Sequence, residues 1–109
     1  MIIDFNSMPA EAFQNFKGGE KELNAKMYFD GTHRILHGEL QPGASIGMHT
    51  HETSSETIFI VSGEGTIIEN GEASAITAGQ CHYCPKGHTH SLINTGAAPL
   101  LFHAVVPEL

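Results

Sequence analysis

The stretch Ser45-Ile46-Gly47-Met48-His49-Thr50-His51, followed five residues later by Glu56, carries the pattern that decides how this chain folds. If residues 45–51 form a strand, the period of two puts both imidazoles on one face and turns Thr50 away. Two neutral imidazoles and a carboxylate reaching one point suit a divalent first-row metal. A third imidazole, His90, lies in a turn-and-strand context that can return it to the same place. An isolated His-x-His is by default two solvated histidines on an edge strand, so the surroundings decide.

Those surroundings are short strands between turns. Residues 26–30, 34–40, 45–51, 56–63, 65–70, 73–77, 81–85, 90–94 and 100–106 each read as a strand. Gly-, Pro- and Asn-bearing turns separate them, including Gln41-Pro42-Gly43, Asn70-Gly71 and Pro85-Lys86-Gly87. Asn70-Gly71 predicts a tight hairpin, because a type I′ turn needs positive φ at both positions. Such spacing, with 12 glycines, predicts an all-β protein, a sandwich or barrel. One helical turn is expected near residues 8–13, with Ser7 as N-cap and Pro9 in the first turn. Residues 17–21 (KGGEK) read as a mobile connection, and Met48 and Phe59 as core.

Bulk composition narrows the function. A chain of 109 residues is expected to form one domain, 1–109, with an N-terminal arm over about residues 1–23. Its net charge of −7 opposes nucleic acid and anionic membranes, both of which require neutralised phosphates. No apolar run approaches the ~20 residues of a membrane-spanning helix. The start MIIDFNSMPAEAF carries Asp4 and Glu11 and lacks a secretory pattern, which makes a cytoplasmic location the expectation. Eight histidines outnumber the five Lys and Arg, so the polar chemistry is largely imidazole chemistry.

Cys81 and Cys84 form a C-x-x-C. Redox pairs of this kind sit at a helix N-terminus, whereas CHYCP reads as a strand entering a turn. An odd separation along a strand puts the thiols on opposite faces, and no second pair completes a Cys-only zinc site. They read as two small hydrophobes.

The spacings around the histidines form two longer patterns. The first runs Gly43, five residues, His49-Thr50-His51, four residues, Glu56, six residues, Gly63; the second runs Gly79, five residues, Pro85-Lys86-Gly87, two residues, His90, three residues, Asn94. Together, at 43–63 and 79–94, they resemble the two signature motifs of the cupin superfamily. Gln80 stands where an acidic residue is usual, outside the ligand set. The resemblance implies a jelly-roll β-barrel of two antiparallel sheets. It also implies that His49, His51, Glu56 and His90 hold a divalent ion: iron, manganese, nickel, zinc or copper. Four protein ligands leave about two open positions on an octahedral-tending ion.

Small single-domain cupins include oxygenases, isomerases, lyases and non-catalytic binding proteins, and fold analogy does not choose among them. The favoured expectation is a metalloenzyme acting on a small polar organic molecule through the open positions; the alternative is a ligand-binding or sensing module. Glu56, His103 and Tyr83 are the candidate proton-transfer groups, with Tyr28 a further candidate near a cavity mouth. His103, on one face with Leu101 and Val105, reads either as a barrel-facing donor or as a buried core histidine. His37 has the same two readings, while His82 and His88 flank the second motif, His88 on the exposed turn. A homodimer is expected, with residues 1–5 covering a sheet edge in the same chain or a partner.

Overall fold

The computed structural model describes all of residues 1–109. Ten strands form two antiparallel sheets. The first, of six strands, has the order β1 (Glu11–Gln14), β2 (Glu22–Phe29), β3 (His33–Leu40), β10 (Leu100–Pro107), β5 (Glu56–Ser62), β8 (Cys81–Cys84). The second, of four strands, has the order β4 (Ser45–Thr50), β9 (Thr89–Ile93), β6 (Glu64–Glu69), β7 (Glu72–Thr77). This is the expected jelly roll. The inner faces meet over Leu36, Leu40, Ile58, Ile67, Leu92 and Phe102, each recurring at the strand period of two.

The β6–β7 hairpin turns at Asn70-Gly71, with φ of 46° and 84°, and Glu69 pairs with Glu72 across it. That is the two-residue turn its sequence demanded.

The N-terminal third departs from expectation. Instead of a helical turn over 8–13, a 3-10 turn spans Phe5–Ser7, capped by Asp4, whose side chain accepts from the Asn6 amide at 3.0 Å. Glu11–Gln14 forms β1, held by pairing with β2 from Glu11–Ala25 to Gln14–Glu22. Local propensity lost to an available sheet edge. Phe5 lies over the His37 and His103 rings, centroids 6.1 and 5.5 Å away.

Residues 17–21 are pinned rather than mobile. A Cβ on Gly19 would collide with the backbone of Ser45 and Gly47, and one on Gly47 with the backbone of Lys17 and Gly19. Glycine at both positions lets this connection lie directly on β4. The Ser45 hydroxyl accepts from the Glu20 amide at 2.9 Å, and Lys21 Nζ donates to the Pro42 carbonyl at 2.7 Å.

Met48 and Phe59 are surface residues, 48% and 47% exposed, not core. Phe59 alternates with inward Ile58 and Ile60 and so faces out. For Met48 the cause is a register shift between Ile46 and His49 against β9. An extra residue there flips the parity of the strand: Ile46 points in, Met48 out, and His49 in again.

Candidate metal centre

The bulge in β4 aims both histidines of the first motif. His49 ends up directly opposite His90 of β9, and Thr50 opposite Thr89, their hydroxyls 2.7 Å apart. His51 follows the strand and is tied to the second motif by its own backbone: its amide donates to the His88 carbonyl at 3.0 Å, and its carbonyl accepts from the Gly87 amide at 2.7 Å. Glu56, the first residue of β5, shares the inward parity of Ile58. Four residues from three strands and a loop meet.

Their donor atoms converge. His90 Nε2 lies 2.9 Å from His51 Nε2, 3.2 Å from His49 Nε2 and 2.9 Å from Glu56 Oε1. His51 Nε2 is 3.1 Å from Glu56 Oε1, and His49 Nε2 is 3.9 Å from it. An ion with bonds of about 2.1 Å holds neighbouring donors ~3.0 Å apart, so the spacing and the N₃O donor chemistry both fit a divalent transition metal.

Each ring is held from behind. His49 Nδ1 faces the Gly47 carbonyl at 2.8 Å; a carbonyl only accepts, so Nδ1 carries the proton and Nε2 presents a lone pair. His51 Nδ1 pairs with Ser54 Oγ at 2.8 Å, and His90 Nδ1 with His82 Nε2 at 3.0 Å. Such partners fix tautomer and orientation in metal sites. Burial raises the Glu56 pKa, but the close approach of the His51, His90 and His49 rings outweighs it and holds the carboxyl well below its usual range. Glu56 is therefore an anion at neutral pH.

A second trio, His82, Cys84 and His90, also comes together. Burial pushes the Cys84 thiol up to about 11, so it stays protonated and is a poor ligand, and the two histidines are already hydrogen-bonded to each other. As expected, the two thiols part: Cys81 is exposed and Cys84 buried. A thiol reagent such as DTNB at about pH 8 should therefore modify Cys81 rapidly and Cys84 only on unfolding. Two equally fast thiols would contradict this burial.

The other predicted residues spread out. His103 alternates with buried Phe102 and Ala104, so it faces outward and is not a barrel-facing donor; it pairs across strands with His37, ring centroids 5.0 Å apart. Tyr83, 56% exposed, lies on the opposite side of β8 from His82 and Cys84. Tyr28 pairs with Ile35, the neighbour of inward Leu36. His88 is half-exposed and its Nδ1 pairs with Glu69 Oε2 at 2.5 Å. His82 is the contact least visible in the sequence: only the shared parity of residues 82 and 84 signalled that it turns inward, to meet His90.

Burial first, then the charges of His103 and Lys26, lowers the His37 pKa. An imidazole with a lowered folded-state pKa binds fewer protons folded than unfolded, so its share of stability is lost as pH falls below about 6.5. His37→Gln should flatten the fall in melting temperature between about pH 7 and pH 5. An unaltered slope would remove His37 from the acid response.

The three imidazoles and Glu56 sit at a cavity of about 650 Å³, with His49, His51 and Glu56 in its wall. Phe13, Phe16, Met27, Leu36 and Phe102 make its apolar side. A larger depression of about 760 Å³ beside β6, β7 and β8 holds Glu69, His82 and His88 but none of the four donors.

Comparison with known proteins agrees with this architecture. The sequence pattern of the cupin domain matches residues 36–106, nearly the whole span from β3 to β10. The chain belongs to the cupin family. This cupin is 31% identical to an oxalate-binding protein of Thermotoga maritima over 112 aligned positions, covering 97% of this chain and 93% of the relative. The crystal structure of a predicted oxalate decarboxylase from Thermotoga maritima superposes with a TM-score of 0.94 at 31% identity, covering all of both chains. The cupin domain of Cnp3 from Schizosaccharomyces pombe has a TM-score of 0.82 at 14% identity, covering 99% of this chain and 74% of that one, a likeness of fold alone.

Proposed function

We propose that this cupin binds a small, oxygen-rich organic acid at a divalent metal ion held by His49, His51, Glu56 and His90. The observation that carries the proposal is the convergence of three Nε2 atoms and one carboxylate oxygen, mutually within 4.8 Å, at a cavity lined by three of those residues. The Thermotoga relative named for oxalate binding supports the ligand class.

When bound, a divalent ion supplies a Lewis-acidic centre that two adjacent oxygens of an acid can share. The protein's own part is placement. His49, His51 and His90 are aimed by Gly47, Ser54 and His82, while Glu56 contributes the one negative charge of the set. The apolar wall excludes water from the ligand's remaining surface.

A second reading is catalysis on the bound acid. Glu56 supports it, as an anionic carboxylate in the cavity wall that can take or return a proton. His103 and Tyr83 do not line the cavity, which leaves Glu56 alone of the three proton-transfer candidates. Oxalate loss, carbon dioxide release and oxygen uptake by iron- or manganese-loaded protein separate the readings.

Calorimetry with oxalate tests the main proposal. Metal-loaded protein should bind oxalate with about 1:1 stoichiometry, and chelator-stripped protein at least ~100-fold more weakly. Stripping should also lower the melting temperature, since an ion bound only to the folded state stabilises it by mass action. Equal oxalate binding with and without metal would refute it.

A further inference from the structure

We infer that Arg34 selects an elongated acid: paired oxygens at one end for the metal centre, and a second carboxylate at the other end for the guanidinium. This rests on the metal-dependent acid binding proposed above and names the ligand class more narrowly.

Arg34 belongs to β3, where Leu36, Gly38 and Leu40 alternate inward, and it shares their parity. Its side chain lines the same 650 Å³ cavity as His49, His51 and Glu56. It forms no salt bridge. Its contacts are a 3.5 Å approach of Nη1 to the Met27 sulfur and a position with Cζ 4.4 Å from the Phe29 ring centroid. A half-buried guanidinium with five donors and no anionic partner is chemically incomplete, and a carboxylate is the group its fork matches.

The sheet register sets the reach. Arg34 pairs with Val106 of β10, and the adjoining Val105 pairs with Thr57 of β5, next to Glu56. Arg34 and Glu56 therefore stand two strand spacings apart on one inward row, about 10 Å between Cα atoms. Oxalate is too short to touch both ends. Val106 stands between them on β10, and Leu36 and Phe102 line the same cavity, an apolar surface that suits a short methylene chain. The other charged residues lining the cavity, Glu11, Lys17 and Glu52, are exposed at its rim. Arg34 is the one cation inside. The class this describes is a 2-oxo or 2-hydroxy dicarboxylate with a few carbons between its acid groups.

The test compares 2-oxoglutarate with its monoacid counterpart 2-oxovalerate by calorimetry on the zinc-loaded full chain, where redox turnover is silent. Wild type should bind the diacid about ten- to hundredfold more tightly, the range expected for one charge-assisted hydrogen-bonded pair. Arg34→Gln should erase that ratio, and Lys17→Gln should keep it. Circular dichroism confirms that both variants are folded. Equal binding of the two acids by wild type, a ratio surviving in Arg34→Gln, or a ratio lost in Lys17→Gln overturns the assignment while leaving metal-dependent acid binding standing. Failure of every acid, oxalate included, to bind the zinc-loaded protein overturns both.

Discussion

Replacing His90 by alanine is expected to reduce bound metal from about one equivalent to less than about a tenth, with affinity falling by at least ~100-fold. His90 is 1% exposed, and its Nε2 lies within 3.2 Å of the other three donors, so it is the hub of the cluster. Losing even a group that only supports a metal ligand typically costs about 10–100-fold, and a ligand itself costs more. The variant also leaves His82 Nε2 without its partner. Elemental analysis after dialysis against buffered zinc or manganese reads the result. His88→Ala serves as control, since His88 contributes no donor and should keep its metal. Equimolar metal in His90→Ala at wild-type affinity would remove these residues from any metal centre.

Phe102→Ala should be the most damaging core substitution. Its ring is fully buried on β10, between β3 and β5, and lies against Gly38, where any Cβ would strike it. Truncation leaves a void that neither Gly38 nor Ala104 can fill, and Phe→Ala changes of this kind cost about 3–5 kcal/mol. For a domain of this size that lowers the melting temperature by well over about 10 °C. Phe59→Ala, on the exposed face of the adjacent strand, should cost less than about 1 kcal/mol. Thermal unfolding of the two variants side by side decides it; similar melting temperatures would mean that Phe102 does not anchor the sandwich.

Most of the strands were legible because alternation is a local property. Ile58 and Ile60, or Phe102 and Ala104, state their inward parity within a few residues, and Asn70-Gly71 states its turn. The four clustered residues were legible through fixed motif spacing. The outward turn of Met48 is not legible for a different reason: whether parity survives along β4 depends on its pairing with β9, and a strand's own sequence does not record where that pairing takes in an extra residue. β1 is not legible because it exists through its bonds to β2, and the fixed path of residues 17–21 is not legible because the crossing of Gly19 and Gly47 is a contact between distant segments.

The amino-acid order by itself determined the strands and hairpins, which follow from residue type and short-range period, and through the resemblance of its two motifs it implied the jelly roll and which three imidazoles and one carboxylate belong together. Only the folded chain decided which way the remaining side chains look. It sent His103 and Tyr83 outward, set His82 behind His90, and brought unpaired Arg34 to the cavity wall. The physical reason is that a side chain's direction depends on the register of its neighbours, which is fixed across strands far apart in the chain.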